Sequence, residues 1–169
     1  MALFGSQRDV SIFRRISREL MGNIISTQVT FYKFMTGETI TNMYGEAAGE
    51  KFYQNPLLIN ALIDLSDQEH NVDDFGVDLS QNILFAFLKD DLVDARLLPE
   101  VGDILMYQER YFEVDNIIKN QLSVGKDPDF PNDINPLNLG LEKFGYDVSV
   151  VVNTHQVSTD RVNIKKDRF

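Results

Sequence analysis

The sequence contains no cysteine, which excludes disulfide bonds, thiolate metal sites and a cysteine nucleophile. It also lacks tryptophan and has only two histidines. His70 and His155 lie far apart in the chain, and neither belongs to a metal-ligand spacing such as HExxH. We therefore expect no metal site built on histidine or cysteine.

Long hydrophobic runs are also missing. No stretch approaches the roughly 20 apolar residues that a membrane-spanning helix needs. Arg14, Arg15 and Arg18 interrupt any apolar run near the start, so the pattern of a signal peptide is absent. We expect a soluble protein without a membrane partner.

The sequence contains fragments of catalytic and metal-binding motifs, but none of these motifs is complete. Asp74-Phe75-Gly76 spells the magnesium triplet of protein kinases, but no glycine-rich phosphate loop or catalytic-loop motif accompanies it. Asp127, Asp129, Asn132 and Asp133 could supply oxygen ligands to Ca²⁺, but the central glycine and closing glutamate of an EF-hand are missing. The sequence therefore predicts no enzymatic activity, no cofactor and no bound metal.

Charge is unevenly distributed along the chain. The net charge is −10, yet residues 1–20 and 160–169 each carry a local +2, so the segment between them carries −14. An acidic body disfavours general binding of nucleic acid, and basic ends favour head-to-tail contacts with an acidic neighbouring copy. Ordinary solvated charge is the alternative. The candidate partner contacts are the basic side chains Arg8, Arg14, Arg15, Arg18, Lys165, Lys166 and Arg168.

A single amphipathic helix is predicted over residues 9–25. Apolar residues recur there at spacings of three and four, namely Val10, Phe13, Ile16, Leu20 and Ile24. Arg14, Arg15 and Arg18 are expected to project from the other side as a basic outer face. The apolar face would then pack on the protein's own core, or else contact a neighbouring subunit.

Short apolar segments separated by turn signals predict strands in the rest of the chain. They are residues 27–35, 57–65, 82–88, 102–107, 110–118, 121–124 and 146–153. The gap of two residues at Gln108-Glu109 has the length of a β-hairpin turn. Residues 57–65 fit a buried helix as well as a strand, and residues 89–98 predict one or two helical turns. The segments 36–49, 67–78 and 125–142 are predicted loops.

This pattern predicts a mainly β fold, a small β-barrel or sandwich with one N-terminal α-helix and long loops. The predicted organisation is an N-terminal helix or arm (residues 1–26), a barrel-like core (27–158) and an extended C-terminal arm (159–169). No internal repeat interrupts it.

The region from Pro99 to Asp129 resembles the neck-protein family of T-even-type contractile-tailed bacteriophages. The segments that carry the resemblance there are Pro99-Glu100-Val101-Gly102-Asp103-Ile104, Arg110-Tyr111-Phe112-Glu113-Val114-Asp115-Asn116, Asn120-Gln121 and Gly125-Lys126-Asp127-Pro128. Similar segments elsewhere are Arg8-Asp9 to Arg18-Glu19-Leu20, Phe31-Tyr32-Lys33, Asn42-Met43-Tyr44-Gly45-Glu46, Phe85-Ala86-Phe87-Leu88-Lys89-Asp90-Asp91-Leu92 and Asn153-Thr154-His155. The resemblance spans nearly the full chain, although the T-even members are longer, and its motifs are structural rather than chemical.

The resemblance implies a head-completion or stopper protein of the virion neck, assembled in the host cytoplasm. Such proteins form a homo-oligomeric ring, expected to be six-fold, beneath the portal and adaptor proteins. The ring seals packaged DNA without sequence-specific binding and docks the tail-terminator protein. The family has no enzymatic activity and no cofactor.

Acidic loops are our candidates for surfaces that face the DNA channel or a partner, with plain solvent exposure as the alternative. Their residues are Asp73, Asp74, Asp78, Asp127, Asp129 and Asp133. Two other functions stay open at this point. One is a tail terminator or adaptor of the same virion, and the other is a small β-barrel domain that binds a ligand or acts as an enzyme.

Overall fold

The computed structural model describes residues 7–35, 37, 39, 51–73, 76–119, 122–124, 146–158 and 162. Of residues 7, 69–73, 76–79, 122–124 and 146 it describes the backbone alone. The predicted loops 36–49 and 125–142 and the predicted arm 159–169 therefore lie almost wholly outside the described residues.

The described chain begins with helix α1 (Gln7–Glu19), which continues as a π-helical turn (Leu20–Ile25). Ser26 ends this turn in the left-handed conformation, with φ of 48°, and its N–H donates to the carbonyl of Met21. The strands that follow are β1 (Gln28–Tyr32), β2 (Leu57–Asn60), β3 (Leu62–Leu65), β4 (Glu69–Asp73), β5 (Gly76–Ser80), β6 (Asn82–Leu88), β7 (Ile104–Tyr107), β8 (Arg110–Ile118), β9 (Leu122–Val124), β10 (Tyr146–Asp147) and β11 (Ser149–Val157). A short helix, α2 (Lys89–Asp94), lies between β6 and β7.

Seven of these strands form one antiparallel sheet in the order β2-β1-β7-β8-β11-β6-β3. The pairs β4–β5 and β9–β10 form two smaller sheets. The prediction of a mainly β fold with one N-terminal helix is confirmed. The helical turns predicted near residue 89 are present as α2.

The segment 57–65 is a bent strand rather than a helix, which decides between the two predicted alternatives. It supplies both edges of the large sheet, because β2 pairs with β1, β3 pairs with β6, and only Ala61 separates them. Since neighbouring Cα atoms lie about 3.8 Å apart, the two edges must lie side by side, and the sheet curls back on itself. Hydrogen bonds do not join β2 to β3, so the sheet is not closed.

Aromatic side chains fill the inside of this curled sheet. Strand β6 buries Ile83, Phe85 and Phe87 at every second position, as a strand with one inward face should. The ring of Phe85 lies 6.0 Å from that of Phe112 and 6.4 Å from those of Phe87 and Tyr107. Phe85 thus links β6 to β7 and β8 through ring contacts inside the core.

The predicted acidic loop 67–78 is wrong in its secondary structure, because most of it forms the β4–β5 hairpin. Asp73 lies in β4 opposite Gly76, and Asp78 lies in β5 opposite Asn71. The register sets Val72 opposite Val77 in the backbone ladder, and β-branched residues such as valine favour strands. The acidic residues gave a turn signal that this backbone pairing overrides.

The turn between β7 and β8 has the two-residue length that the sequence predicts, but its residues are unusual. Gln108 and Glu109 both have positive φ, 49° and 64°. Hairpins that need this conformation usually place Asn-Gly there, because a side chain costs about 1 kcal/mol or more in the left-handed region.

Replacing Glu109 by glycine is therefore expected to raise the free energy of unfolding by roughly 0.5–1 kcal/mol, after the entropy that glycine adds to the unfolded chain. Chemical denaturation of the purified variant measures this change. Glu109→Ala is the matched control, since it removes the same side chain but keeps the strain, and it should bring no gain. An equal gain in both variants would contradict the conformational explanation.

Candidate interaction surface

Helix α1 is fixed to the domain by ion pairs between two arginines and the acidic side of α2. Arg18 Nε lies 2.9 Å from Asp91 Oδ1, and Arg18 Nη2 donates to Asp94 Oδ2. Arg14 Nη1 lies 3.7 Å from Asp90 Oδ1. The hydrogen bond to Asp94 and the charge of Asp91 raise the pKa of Arg18, whereas burial raises the pKa of Asp91 against the opposing effect of Arg18. These partly exposed pairs set the orientation of the helix more than its stability.

An apolar contact completes the attachment. Met21 and Ile25 of the π-helical turn pack against Leu88 at the end of β6 and against Val148 before β11. Val10, near the start of α1, is also buried. The helix therefore meets the domain along one side and cannot turn freely.

The opposite side of α1 and of the π-helical turn carries exposed apolar side chains at helical spacing. Between 37% and 75% of each residue is exposed, and the residues are Ile12, Phe13, Ile16, Leu20 and Ile24. We call this surface the helix stripe. Exposed Arg8 and Arg15 lie four residues before and three after Ile12, so they border the stripe on one flank. A monomeric protein rarely leaves such a row of apolar side chains in water.

This arrangement reverses the predicted orientation of the helix. We expected a basic outer face, but Arg14 and Arg18 turn toward α2. Arg18 stays partly exposed beside α2, Arg8 and Arg15 border the stripe, and Val10 is the one buried residue of the predicted apolar face. The physical reason is the acidic side of α2, which attracts arginines one helical turn apart and so rotates the apolar stripe away from the domain.

A second exposed apolar surface lies on the outer face of β2, β3 and β6. Leu58, Leu62 and Leu84 are 70%, 49% and 40% exposed, respectively. In the register, Leu84 lies opposite Asp64 and Leu62 lies opposite Ala86, so these outward side chains are neighbours across the two strands. We call the three leucines the strand patch. Exposed Asp64 borders it.

A buried ion pair locks the end of β1 against the turn before β7. Asp103 is fully buried, and its carboxylate accepts hydrogen bonds from the N–H groups of Phe34 (2.9 Å) and Glu100 (2.7 Å). Lys33 Nζ lies 3.0 Å from Asp103 Oδ2, 2.7 Å from Glu100 Oε2 and 2.8 Å from the carbonyl of Leu98. Burial raises the pKa of Asp103, which the two amides and Lys33 oppose, while Lys33 lowers the pKa of Glu100. Each of these groups has a hydrogen-bond or ion-pair partner, so we assign a structural role to the cluster.

The turn that presents Asp103 requires glycine at position 102. Gly102 has φ of +91°, a conformation that other residues rarely adopt. Its N–H donates to the carbonyl of Val114 at 3.0 Å, and the N–H of Val114 donates back to the carbonyl of Asp103 at 2.9 Å. The Gly102-Asp103 motif of the sequence therefore builds the β7–β8 scaffold, not a site for chemistry.

A shallow depression of about 420 Å³ lies across the outer face of β3, β6, β11 and β8. The polar residues that line it are Asp64, Ser66, Asn82, Asp115, Asn116, Asn153 and Thr154. The groups with raised pKa values lie elsewhere, and burial raises the pKa of Tyr53 to about 12.

The remaining predicted residues do not form a site among the described residues. Asp74, Asp127, Asp129, Asp133, Lys165, Lys166 and Arg168 lie outside the described part of the chain. Within the described part, no group of three or more histidine or acidic residues could hold a metal ion. His155 Nδ1 lies 2.7 Å from Asp115 Oδ1 at the surface, and the two residues form an isolated pair.

The sequence pattern does not show that the helix stripe and the strand patch are exposed. Leu58 and Leu62 belong to an apolar run that the sequence predicts as a strand or a buried helix, and their exposure follows from the strand alternation around buried Ile59 and Ala61. Among the described residues no helix is long and apolar enough to cross a membrane. Neither a protein-family model nor a curated protein matches the chain.

Proposed function

We propose that this chain is a structural subunit of the neck of a contractile-tailed bacteriophage, where its copies form a ring that seals the packaged DNA and docks the tail. The helix stripe is the observation that carries this proposal. A rigidly attached helix with apolar residues in water is a surface built for another protein chain. The resemblance of the sequence to phage neck proteins supplies the kind of assembly.

The organisation of the motif residues supports a scaffold over an enzyme. Gly102 and Asp103 shape a turn, Lys33 is bound to Asp103, and Phe85 and Phe112 fill the core. The segments on which the resemblance depends therefore maintain the fold, as expected for a protein whose surfaces bind other proteins.

The charge of the body fits a ring around DNA. The segment between the basic ends carries −14. Acidic side chains toward the channel would repel the duplex and let it pass without sequence-specific contacts. In this proposal the portal and adaptor proteins contact the head side of the ring, and the tail-terminator protein contacts the tail side.

Fractionation of phage particles tests the proposal. We expect mass spectrometry to find the chain on filled heads that lack tails, and to miss it on free tails. Infection with phage in which its gene is disrupted should yield separate heads and tails, with heads that lose DNA. Recovery of the chain on free tails alone would instead make it a tail terminator, and absence from both kinds of particle would refute a virion role.

A further inference from the structure

We propose that the helix stripe of one copy docks on the strand patch of a second copy, in a head-to-tail contact between like chains. This inference rests on the proposed function, because it names the surfaces through which copies of an assembly subunit would meet. Both surfaces are apolar and exposed, and on one chain they approach each other where Gly22 of the π-helical turn lies beside the side chain of Asn60, between Leu58 and Leu62.

The two surfaces are of comparable length. Ile12 and Leu20 are eight residues apart on a helix, which corresponds to about 12 Å. Leu58 and Leu62 are four residues apart along the bent segment of β2 and β3, so they lie at most about 13 Å apart. A helix that crosses the strand patch can therefore contact these leucines with its apolar row.

Their borders are complementary in charge. Arg8 and Arg15 flank the helix stripe, and neither forms an ion pair within the described residues. Asp64 lies beside Leu84 in the strand patch, on a body that carries −14 between its basic ends. Pairing two copies of the helix with each other would leave Arg8 and Arg15 without this acidic surface, so the charges favour the helix-to-strand contact.

The contact can propagate. The ion pairs to α2 and the packing of Met21 hold the helix in place, so little freedom is lost when a neighbour binds the other side. Each bound copy still presents one unused stripe or patch. A contact of this heterologous kind closes into a ring when its rotation permits.

Disulfide trapping gives a clean test, because the chain has no cysteine of its own. We would purify Ile16→Cys, Leu62→Cys and, as a control away from both surfaces, exposed Ser158→Cys. Mixtures are oxidised at high protein concentration and run on non-reducing gels, after circular dichroism has verified the fold of each variant. We expect a covalent dimer from the mixture of Ile16→Cys with Leu62→Cys, at least tenfold above either mixture with Ser158→Cys.

Charge reversal provides a second measurement on the same system. Adding Arg15→Glu to the Ile16→Cys chain should slow trapping with Leu62→Cys by about tenfold, since it places like charges at the contact. Trapping that is unchanged by the reversal would remove the charge argument and overturn this docking mode.

Other occupants of the stripe give different outcomes. Efficient dimers of Ile16→Cys alone would assign the stripe to helix pairing, and a mixture no better than the control would exclude the contact. Sedimentation of the wild-type chain with phosphatidylglycerol vesicles, lost on Ile16→Asp, would assign it to a lipid surface. Failure of trapping for a protein found on filled heads overturns the contact but leaves the neck function intact. Successful trapping of a chain that is absent from virions would support the contact and refute the neck function.

Discussion

Replacing Asp103 by alanine is expected to lower the free energy of unfolding by about 3–5 kcal/mol. The substitution removes a fully buried carboxylate that accepts hydrogen bonds from the N–H groups of Phe34 and Glu100 and from Lys33. The two amides would remain without an acceptor in a site closed to water, and Lys33 would keep only its outer partners. Urea denaturation followed by circular dichroism measures the loss.

Glu100→Gln is the matched control for this prediction. Glu100 contacts the same Lys33 nitrogen, at 2.7 Å, but its side chain is 58% exposed, and exposed ion pairs contribute only about 0–1 kcal/mol. We expect the Asp103 variant to lose several times more stability than the Glu100 variant. Equal losses would mean that the buried pair does not hold β1 to the turn before β7.

The strand pattern of the core could be predicted from the sequence, because alternation and β-branched residues act locally. The β7–β8 hairpin was predicted from the two-residue gap at Gln108-Glu109, and residues 82–88 form β6 as predicted. The division of residues 57–65 between the two sheet edges could not be predicted. It depends on the pairing of this segment with β1 and with β6, two strands that lie far from each other in the sequence.

The orientation of α1 shows why a surface is harder to predict than a strand. Helical periodicity identifies an apolar face but does not say whether that face is buried. Here Arg14 and Arg18 find carboxylates on α2, more than 70 residues later in the chain, and these contacts turn the apolar face outward. Asp90 and Asp94 lie four residues apart, with Asp91 between them, and Arg14 and Arg18 also lie four residues apart. Only the fold brings the two helices together.

The Lys33–Asp103 pair belongs to the same class of long-range contact. Its residues lie 70 positions apart in the chain. Their role became visible only when the curled sheet placed the end of β1 beside the turn at Gly102. The candidate interaction surface is likewise only partly visible in the sequence. The spacing of its apolar residues can be seen there, but whether those residues are exposed depends on the fold.

Replacing Phe85 by alanine is expected to cost about 3–5 kcal/mol, the range for truncation of a large buried aromatic residue. Its side chain is fully buried, and its ring contacts Phe87, Tyr107 and Phe112 on three other positions of the core. The cavity would lie among the rings of Phe87, Tyr107 and Phe112, whose backbones are held in paired strands and therefore cannot easily move to fill it. Chemical denaturation of the purified variant measures the cost.

The neighbouring residue supplies the control, because side chains alternate along β6. Leu84 points outward and is 40% exposed, so Leu84→Ser should cost less than about 1 kcal/mol of stability. The same substitution should weaken the association of the chain with itself, which Phe85→Ala would affect only through loss of folded protein. A large loss of stability from Leu84→Ser would mean that the outer face belongs to the folded monomer. A small loss of stability together with weaker self-association would mean that β6 stabilises the fold through its inner face and the proposed assembly through its outer face.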